Sequence, residues 1–299
     1  MVHNMGLRIC TGAYRTSPVA SIYVDSGLPP LSLRREELSL RYISKALTSK
    51  NNPNYKYVKT PVDRAANRPR LPKPLEVRFE RGTREIGIQT TSIAQFHFPK
   101  TPPWCKPPIE ICSKAGGKGD NSSKAVKAEF LKHSRKHQGR SVYTDGAKTS
   151  EGVGCAVIAD KEIIKKKLPP YCSIFTAEVY AVLQAVRYVF NTGMYGENFI
   201  IYCDSTSVLV SLKQFMPSNH LVQEVQDWLV LLHSRKCIRV RFCWVPAHVG
   251  VSGNEQADKA AIRLQNNTVK DIPYGDFKNL IIFILEISGK QSGIAYLIT

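Results

Sequence analysis

Hydrophobic and polar positions change rhythm twice along the chain. After Pro29-Pro30, the residues Leu33, Leu38, Leu40, Ile43 and Leu47 recur at roughly helical spacing between Arg34, Arg35, Glu36, Glu37 and Arg41. This spacing predicts an amphipathic helix from about Leu31, and one such helix cannot make a domain. Between about residues 51 and 140 the periodicity fades into prolines set among basic and polar residues, as in Asn67-Arg-Pro-Arg-Leu-Pro-Lys-Pro74 and Pro99-Lys-Thr-Pro-Pro-Trp104. That composition predicts a linker, extended or disordered in large part.

From Ser141 the rhythm becomes that of a packed domain. Val142–Thr144, Gly154–Ile158 and Glu162–Leu168 read as three consecutive strands joined by Gly-containing or charged turns, hence an antiparallel meander. Thr176–Phe190 sets Val179, Val182, Leu183, Val186 and Phe190 on one helical face, and Phe199–Cys203 follows as an apolar strand. Helices are predicted at Ser205–Phe215 and Leu221–His233, then a strand at Ile238–Val245. Ser252-Gly-Asn-Glu255 has capping-box spacing before a final helix, Gln256–Leu264. The order βββαβααβα predicts an α/β fold, a five-stranded mixed sheet with flanking helices, preceded by a mostly irregular basic region.

Charge sharpens this division. The 299 residues hold 42 Lys+Arg against 24 Asp+Glu, a net +18. Residues 1–140 carry 26 basic and 10 acidic residues (+16), whereas residues 141–264 carry 13 and 11 (+2). A positive field on the first half favours a polyanion, most often nucleic acid, as partner. The eight cysteines form no CxxC pair and show no ligand spacing with histidine, so no zinc site is expected, and a reduced intracellular compartment, cytoplasm or nucleus, fits them best. No stretch approaches the roughly 18 apolar residues of a membrane span; Leu280–Leu285 is stopped by Glu286 and reads as a packed segment. No membrane partner is expected.

Four acidic residues stand at junctions of the predicted domain: Asp145 at the first strand, Glu178 in the first turn of its helix, Asp204 at the end of the Phe199–Cys203 strand, and Asp258 in the last helix. If the first and fourth strands are neighbours, Asp145 and Asp204 lie side by side, with Glu178 and Asp258 reaching in from helices. Carboxylates so gathered repel and have raised pKa values unless a cation neutralises them. Mg²⁺ suits oxygen ligands and phosphate, and two ions about 4 Å apart activate water against a phosphodiester. Taken singly, each of these residues is more ordinarily a turn residue, a helix cap or a complement to a helix dipole. His248 is flanked by Pro246, Gly250 and Gly253, backbone suited to a hinged loop, and its side chain titrates near neutrality.

Tyr143-Thr-Asp-Gly-Ala147, Phe175-Thr-Ala-Glu-Val-Tyr-Ala-Val-Leu-Gln-Ala185, Ile201-Tyr-Cys-Asp-Ser205 and Trp244-Val-Pro-Ala-His-Val-Gly-Val-Ser-Gly-Asn-Glu-Gln-Ala-Asp-Lys-Ala260 occur in that order and at suitable spacing. Together they resemble the type 1 ribonuclease H family. The resemblance implies a ribonuclease-H-like sheet and hydrolysis of the RNA strand of RNA–DNA hybrids. It also implies two Mg²⁺ ions, with Mn²⁺ as substitute, on Asp145, Glu178, Asp204 and Asp258, and His248 as a loop histidine assisting proton movement or product release. Ile174-Phe175 stand where many bacterial members carry asparagines that touch 2′-hydroxyls, and Leu209–Arg235 has only Lys213 and Arg235 where a basic handle would lie. Grip must then come from Lys165-Lys166-Lys167, more ordinarily a solvated strand edge, or from the basic first half.

The flanks Arg8-Ile-Cys-Thr-Gly-Ala-Tyr-Arg-Thr-Ser-Pro18, Gly27-Leu-Pro-Pro-Leu-Ser-Leu-Arg-Arg35, Leu40-Arg-Tyr42 and Ile272-Pro-Tyr274 resemble segments of jockey-like non-LTR retrotransposon polyproteins that follow the reverse transcriptase. A reverse transcriptase is thereby implied as a partner. The expected organisation is a helical segment (1–50), a basic linker (51–140), a ribonuclease H type 1 domain (141–266) and a tail (267–299). Two other readings stay open: a catalytically silent nucleic-acid-binding remnant, and an integrase or resolvase on a related fold. The basic half is expected to add affinity but no catalysis, so that removing residues 1–136 leaves cleavage.

Overall fold

A computed structural model describes residues 2–59, 74–85, 93–96, 101–106, 108–112, 122–160, 162–263 and 269–291. Much of the predicted linker, including Asn67–Arg70, lies outside them. The chain gathers into two units, Met1–Gln95 with Tyr274–Thr299, and Phe96–Pro273.

The first unit opens with helices α1 (Val2–Thr11), α2 (Val19–Ser26), α3 (Leu31–Leu47), α4 (Tyr55–Lys59) and α5 (Leu75–Glu85). α3 starts where the pattern places it, directly after Pro30, and buries Leu40, Ile43 and Leu47. Its Glu37 sits between Arg34 and Arg41 at 2.6 and 2.5 Å, one helical turn away on either side. The helix does not stand alone. α11 (Tyr274–Gln291) packs against it through the same unit, burying Phe277, Leu280, Ile281 and Leu285, and Phe79 of α5 lies 6.1 Å from the Phe277 ring. The apolar run at 280–285 is thus a packed helix face, and no helix among the described residues is long and apolar enough to cross a membrane.

The second unit holds the sheet. Its elements are β1 (Glu110–Cys112), α6 (Ser123–Ser134), β2 (Arg140–Thr149), β3 (Gly152–Ala159), β4 (Glu162–Leu168), α7 (Ile174–Thr192), β5 (Asn198–Cys203), α8 (Thr206–Leu212), α9 (His220–Lys236), β6 (Arg239–Trp244) and α10 (Ser252–Ile262). The spatial order is β1-β6-β5-β2-β3-β4. β2, β3 and β4 form the expected antiparallel meander, while β5 joins β2, and β6 joins β5, in parallel. This is a mixed sheet with flanking helices, the α/β architecture that the sequence predicts, enlarged by one strand.

Side-chain alternation decides which helix covers which face. Val153, Cys155, Val157 and Ala159 of β3 point towards α7, whose buried residues run around most of its circumference. Ala156 and Ile158 point the other way, onto Ala257, Ala260 and Ala261 of α10. Small residues there let the helix lie close to the strand. On that second face Phe130 of α6 packs with Ile200, Tyr202, Cys243, Val245 and Val251.

β1 and α6 are the two elements of this unit that the sequence pattern does not show. β1 is three residues long, among prolines, and pairs only with β6, Glu110 opposite Arg241 and Cys112 opposite Cys243. α6 reads as polar and basic, yet Ser122 caps it and Phe130 is buried. Both belong to the span 51–140 and both precede residue 137. A cut there removes a sheet strand and a covering helix, so the expectation that residues 1–136 are dispensable for cleavage does not survive the packing.

Candidate active site

β5 ends at Cys203, whose partner on β2 is Thr144. One residue further on each strand come Asp204 and Asp145, so the parallel pairing sets the two carboxylates beside each other at the end of the β2–β5 ladder. Past this point β2 keeps β3 as partner but has lost β5. The space is filled by α7. Gly146 makes that approach possible: a Cβ there would lie 2.7 Å from the Ala177 carbonyl carbon, 2.9 Å from Glu178 Cα and nearer still to the Glu178 nitrogen. With no side chain in the way, Glu178 is carried to the strand and its carboxylate accepts a hydrogen bond from the Gly146 amide.

Asp258 arrives by a similar device on the opposite face. A Cβ at Gly253 would sit 2.7 Å from Tyr143 Cγ and deeper into the ring edge, so α10 crosses β2 only because residue 253 is glycine. Tyr143 is held in place by stacking on Tyr202, centroids 4.7 Å apart. All four predicted carboxylates therefore converge on one end of the sheet.

Their electrostatics are those of a group without its counter-charge. Asp145 and Glu178 are 6% and 8% exposed. Burial raises Asp145 to about 8, with the Asp204 and Asp258 charges adding to it. Glu178 rises to about 9 through burial, then Asp204 and Asp145, against the opposing Gly146 hydrogen bond. Asp204 is raised too, chiefly by burial, with Asn254 and His248 pulling in the other direction. Glu178 Oε2 and Asp204 Oδ1 are buried without a hydrogen-bond partner. Buried oxygens left unsatisfied are costly, and a hard cation with oxygen ligands would relieve both them and the mutual repulsion. The donor set fits Mg²⁺. Ligand atoms of Glu178, Asp204 and the buried Cys203 lie within 4.8 Å of one another, but a thiol held protonated by burial is a poor ligand for so hard an ion.

His248 lies on the turn between β6 and α10 in the left-handed backbone region, φ 55°, two residues before Gly250 at φ 83°. Its Nδ1 is 3.7 Å from Asp258 Oδ2 and its side chain is exposed. Lys127 of α6 reaches the same turn, its Nζ 3.3 Å from where a Gly250 Cβ would stand.

Asn254 is the site residue that sequence reasoning passed over. It is 3% exposed and its side chain hydrogen-bonds Asp204. The sequence shows it only as the third residue of a predicted capping box, and that box does not form. Val251 precedes the helix, Ser252 is its first residue and makes no cap, and Glu255 Oε1 instead accepts from the Gly250 amide at 3.1 Å. Ser252 stands one residue too late for the box, and the turn, rather than the helix end, uses Glu255. Trp244 closes the other side by donating its Nε1–H to the Asp204 carbonyl at 3.0 Å.

The lysine run occupies β4, the sheet's edge strand. Lys165 pairs with Ala156, which pairs with Asp145, so Lys165 stands in the same cross-strand row, about 10 Å away at the usual strand spacing.

Residues 137–265 match the family described as RNase H, which identifies this segment as a ribonuclease H domain. No curated protein matches the chain.

Proposed function

We propose that this ribonuclease H domain hydrolyses the RNA strand of RNA–DNA hybrids, with two divalent ions, Mg²⁺ or in its place Mn²⁺, held by Asp145, Glu178, Asp204 and Asp258. The observation that carries the reading is the convergence of four carboxylates from two strands and two helices, with buried oxygens that no protein group satisfies. When bound, the ions supply Lewis-acid activation of the attacking water and stabilise the leaving oxygen. The protein's own part is to hold the cluster at this spacing, to give up the protons that Asp145 and Glu178 retain without metal, and to orient Asp204 through Asn254. His248, exposed on its turn and near Asp258, moves protons or helps product leave. Lys127 and Lys165 flank the cluster and hold substrate phosphates, in place of the handle that α9 lacks.

The flanking motifs support a wider setting: a retrotransposon polyprotein acting inside the cell with a reverse transcriptase, its basic first half adding affinity for nucleic acid. The test uses end-labelled RNA–DNA hybrid, duplex DNA and duplex RNA with Mg²⁺. Internal cleavage of the hybrid's RNA, leaving 5′-phosphate and 3′-hydroxyl ends, is expected. Preference for duplex DNA would favour an integrase or resolvase, and salt-sensitive binding without cleavage a silent remnant.

A further inference from the structure

A second group of ligand-bearing side chains lies away from the carboxylates, at the other edge of the sheet. Cys112 of β1 and Cys243 of β6 are paired residues of parallel strands, so their thiols stand side by side on one face. His137 follows α6 and comes down on the same place. Both cysteines are free, and the two sulfurs and an imidazole nitrogen lie within 4.8 Å of one another. Phe130, Tyr202 and Val245 form the apolar floor around them.

We propose that Cys112, His137 and Cys243 bind a thiophilic divalent ion, Zn²⁺, with a fourth position left to water. Two sulfurs and one nitrogen are the donors such an ion selects, and they are unsuited to Mg²⁺. A tetrahedral site with Zn–S near 2.3 Å sets its sulfurs about 3.8 Å apart, within the spread already present. Cys243 is buried whereas Cys112 and His137 are partly exposed, which leaves a route for the ion. His137 is kept neutral, the ligating form, by its burial and by the neighbouring Arg241 cation, with His133 and Lys136 adding to this. Arg241 lies 3.4 Å from His137 Nδ1 and is tied to Glu110 at 2.8 Å, so a positive charge already faces the position of two thiolates. Spacing along the chain conceals this set, because the ligands come from a strand, a turn and a distant strand. Such a site fastens the edge strand and the end of α6, both outside the body of the recognised domain, to the sheet.

The proposal is independent of the hydrolytic reading. The full-length protein, reduced and freed of metal by a chelator, is titrated with Co²⁺ in excess Mg²⁺ and, separately, loaded with Zn²⁺, dialysed and assayed for metal. Thiolate-to-cobalt absorption and one retained zinc per chain are expected, both lost in Cys112→Ser and in Cys243→Ser, with the absorption shifted or lost in His137→Ala and unchanged in Asp204→Asn. Circular dichroism of each variant against metal-free wild type separates lost ligation from lost folding. Absence of the absorption in folded wild type would overturn the proposal. So would zinc retained equally by a folded Cys112→Ser, Cys243→Ser double variant, or a Cys112–Cys243 disulfide whose reduced form takes up no metal.

Discussion

Replacing Gly146 by alanine tests how the cluster is assembled, because it adds one methyl group at the point where α7 meets β2. The new Cβ would stand 2.7 Å from Ala177 C and 2.9 Å from Glu178 Cα. Ordinary contact between carbon atoms is about 3.5–4.0 Å. The obstructing atoms are helix backbone, which cannot rotate aside, so α7 must retreat by about 1 Å. Overpacking of this kind costs about 1–3 kcal/mol. A displacement of about 1 Å in a catalytic constellation can lower turnover on the order of 100-fold. The substitution therefore predicts a modest loss in urea midpoint with a disproportionate loss of hybrid cleavage, since Glu178 moves with its helix. Measuring both in the same preparation separates a misplaced carboxylate from general unfolding. Wild-type stability together with wild-type cleavage would refute the claim that Gly146 sets the position of Glu178.

Other consequences follow from the same geometry. Without divalent ions, stability should fall as pH rises from about 4 to about 9: Asp145 and Glu178 have folded pKa values raised above the unfolded ones, so native protonation stabilises fully below the unfolded values and is lost through the folded ones. At about 1.4 kcal/mol per unit, shared across a coupled cluster, a loss of several kcal/mol is expected in urea titrations across that range, smaller in Asp145→Asn and reversed by added Mg²⁺. Phe130→Ala should cost about 3–5 kcal/mol, because the ring is buried against the domain's second face. A chain starting at residue 137 should accordingly melt lower and cleave less than one starting at residue 96, and equal behaviour would remove α6 and β1 from the functional unit. His248→Ala should lower turnover while leaving Mg²⁺-induced stabilisation unchanged, since the side chain is exposed and the carboxylates remain.

What the sequence reveals and what it conceals have different physical origins. Strands β2 to β6 and helices α7, α9 and α10 are carried by apolar periodicity, a local property, and their boundaries fall within a few residues of the prediction. Asp145 and Asp204 are legible because strand order brings strand ends together. β1 and α6 are not, because their burial depends on partners far along the chain: Phe130 is one apolar side chain in a basic helix, and β1 has room for only three ladder pairs. α11 is visible as an apolar run, yet its partner α3 lies at the other end of the sequence. Asn254 is concealed for another reason, since a buried amide that orients a carboxylate looks in sequence like an ordinary residue of a helix start. The cluster of Cys112, His137 and Cys243 is created by strand register alone.

The central claim is that the four carboxylates act together through divalent ions on a phosphodiester. Its most direct measurement is cleavage of a labelled RNA–DNA hybrid across a Mg²⁺ titration by wild type and by Asp204→Asn, with the Mg²⁺-dependent shift in thermal midpoint recorded for both. The account predicts Mg²⁺-dependent cleavage and stabilisation in wild type. In the variant it predicts loss of both, with a metal-free midpoint at or above that of wild type because one repelling charge is gone. Equal cleavage by the two proteins, or cleavage by wild type that persists in excess chelator, would contradict it.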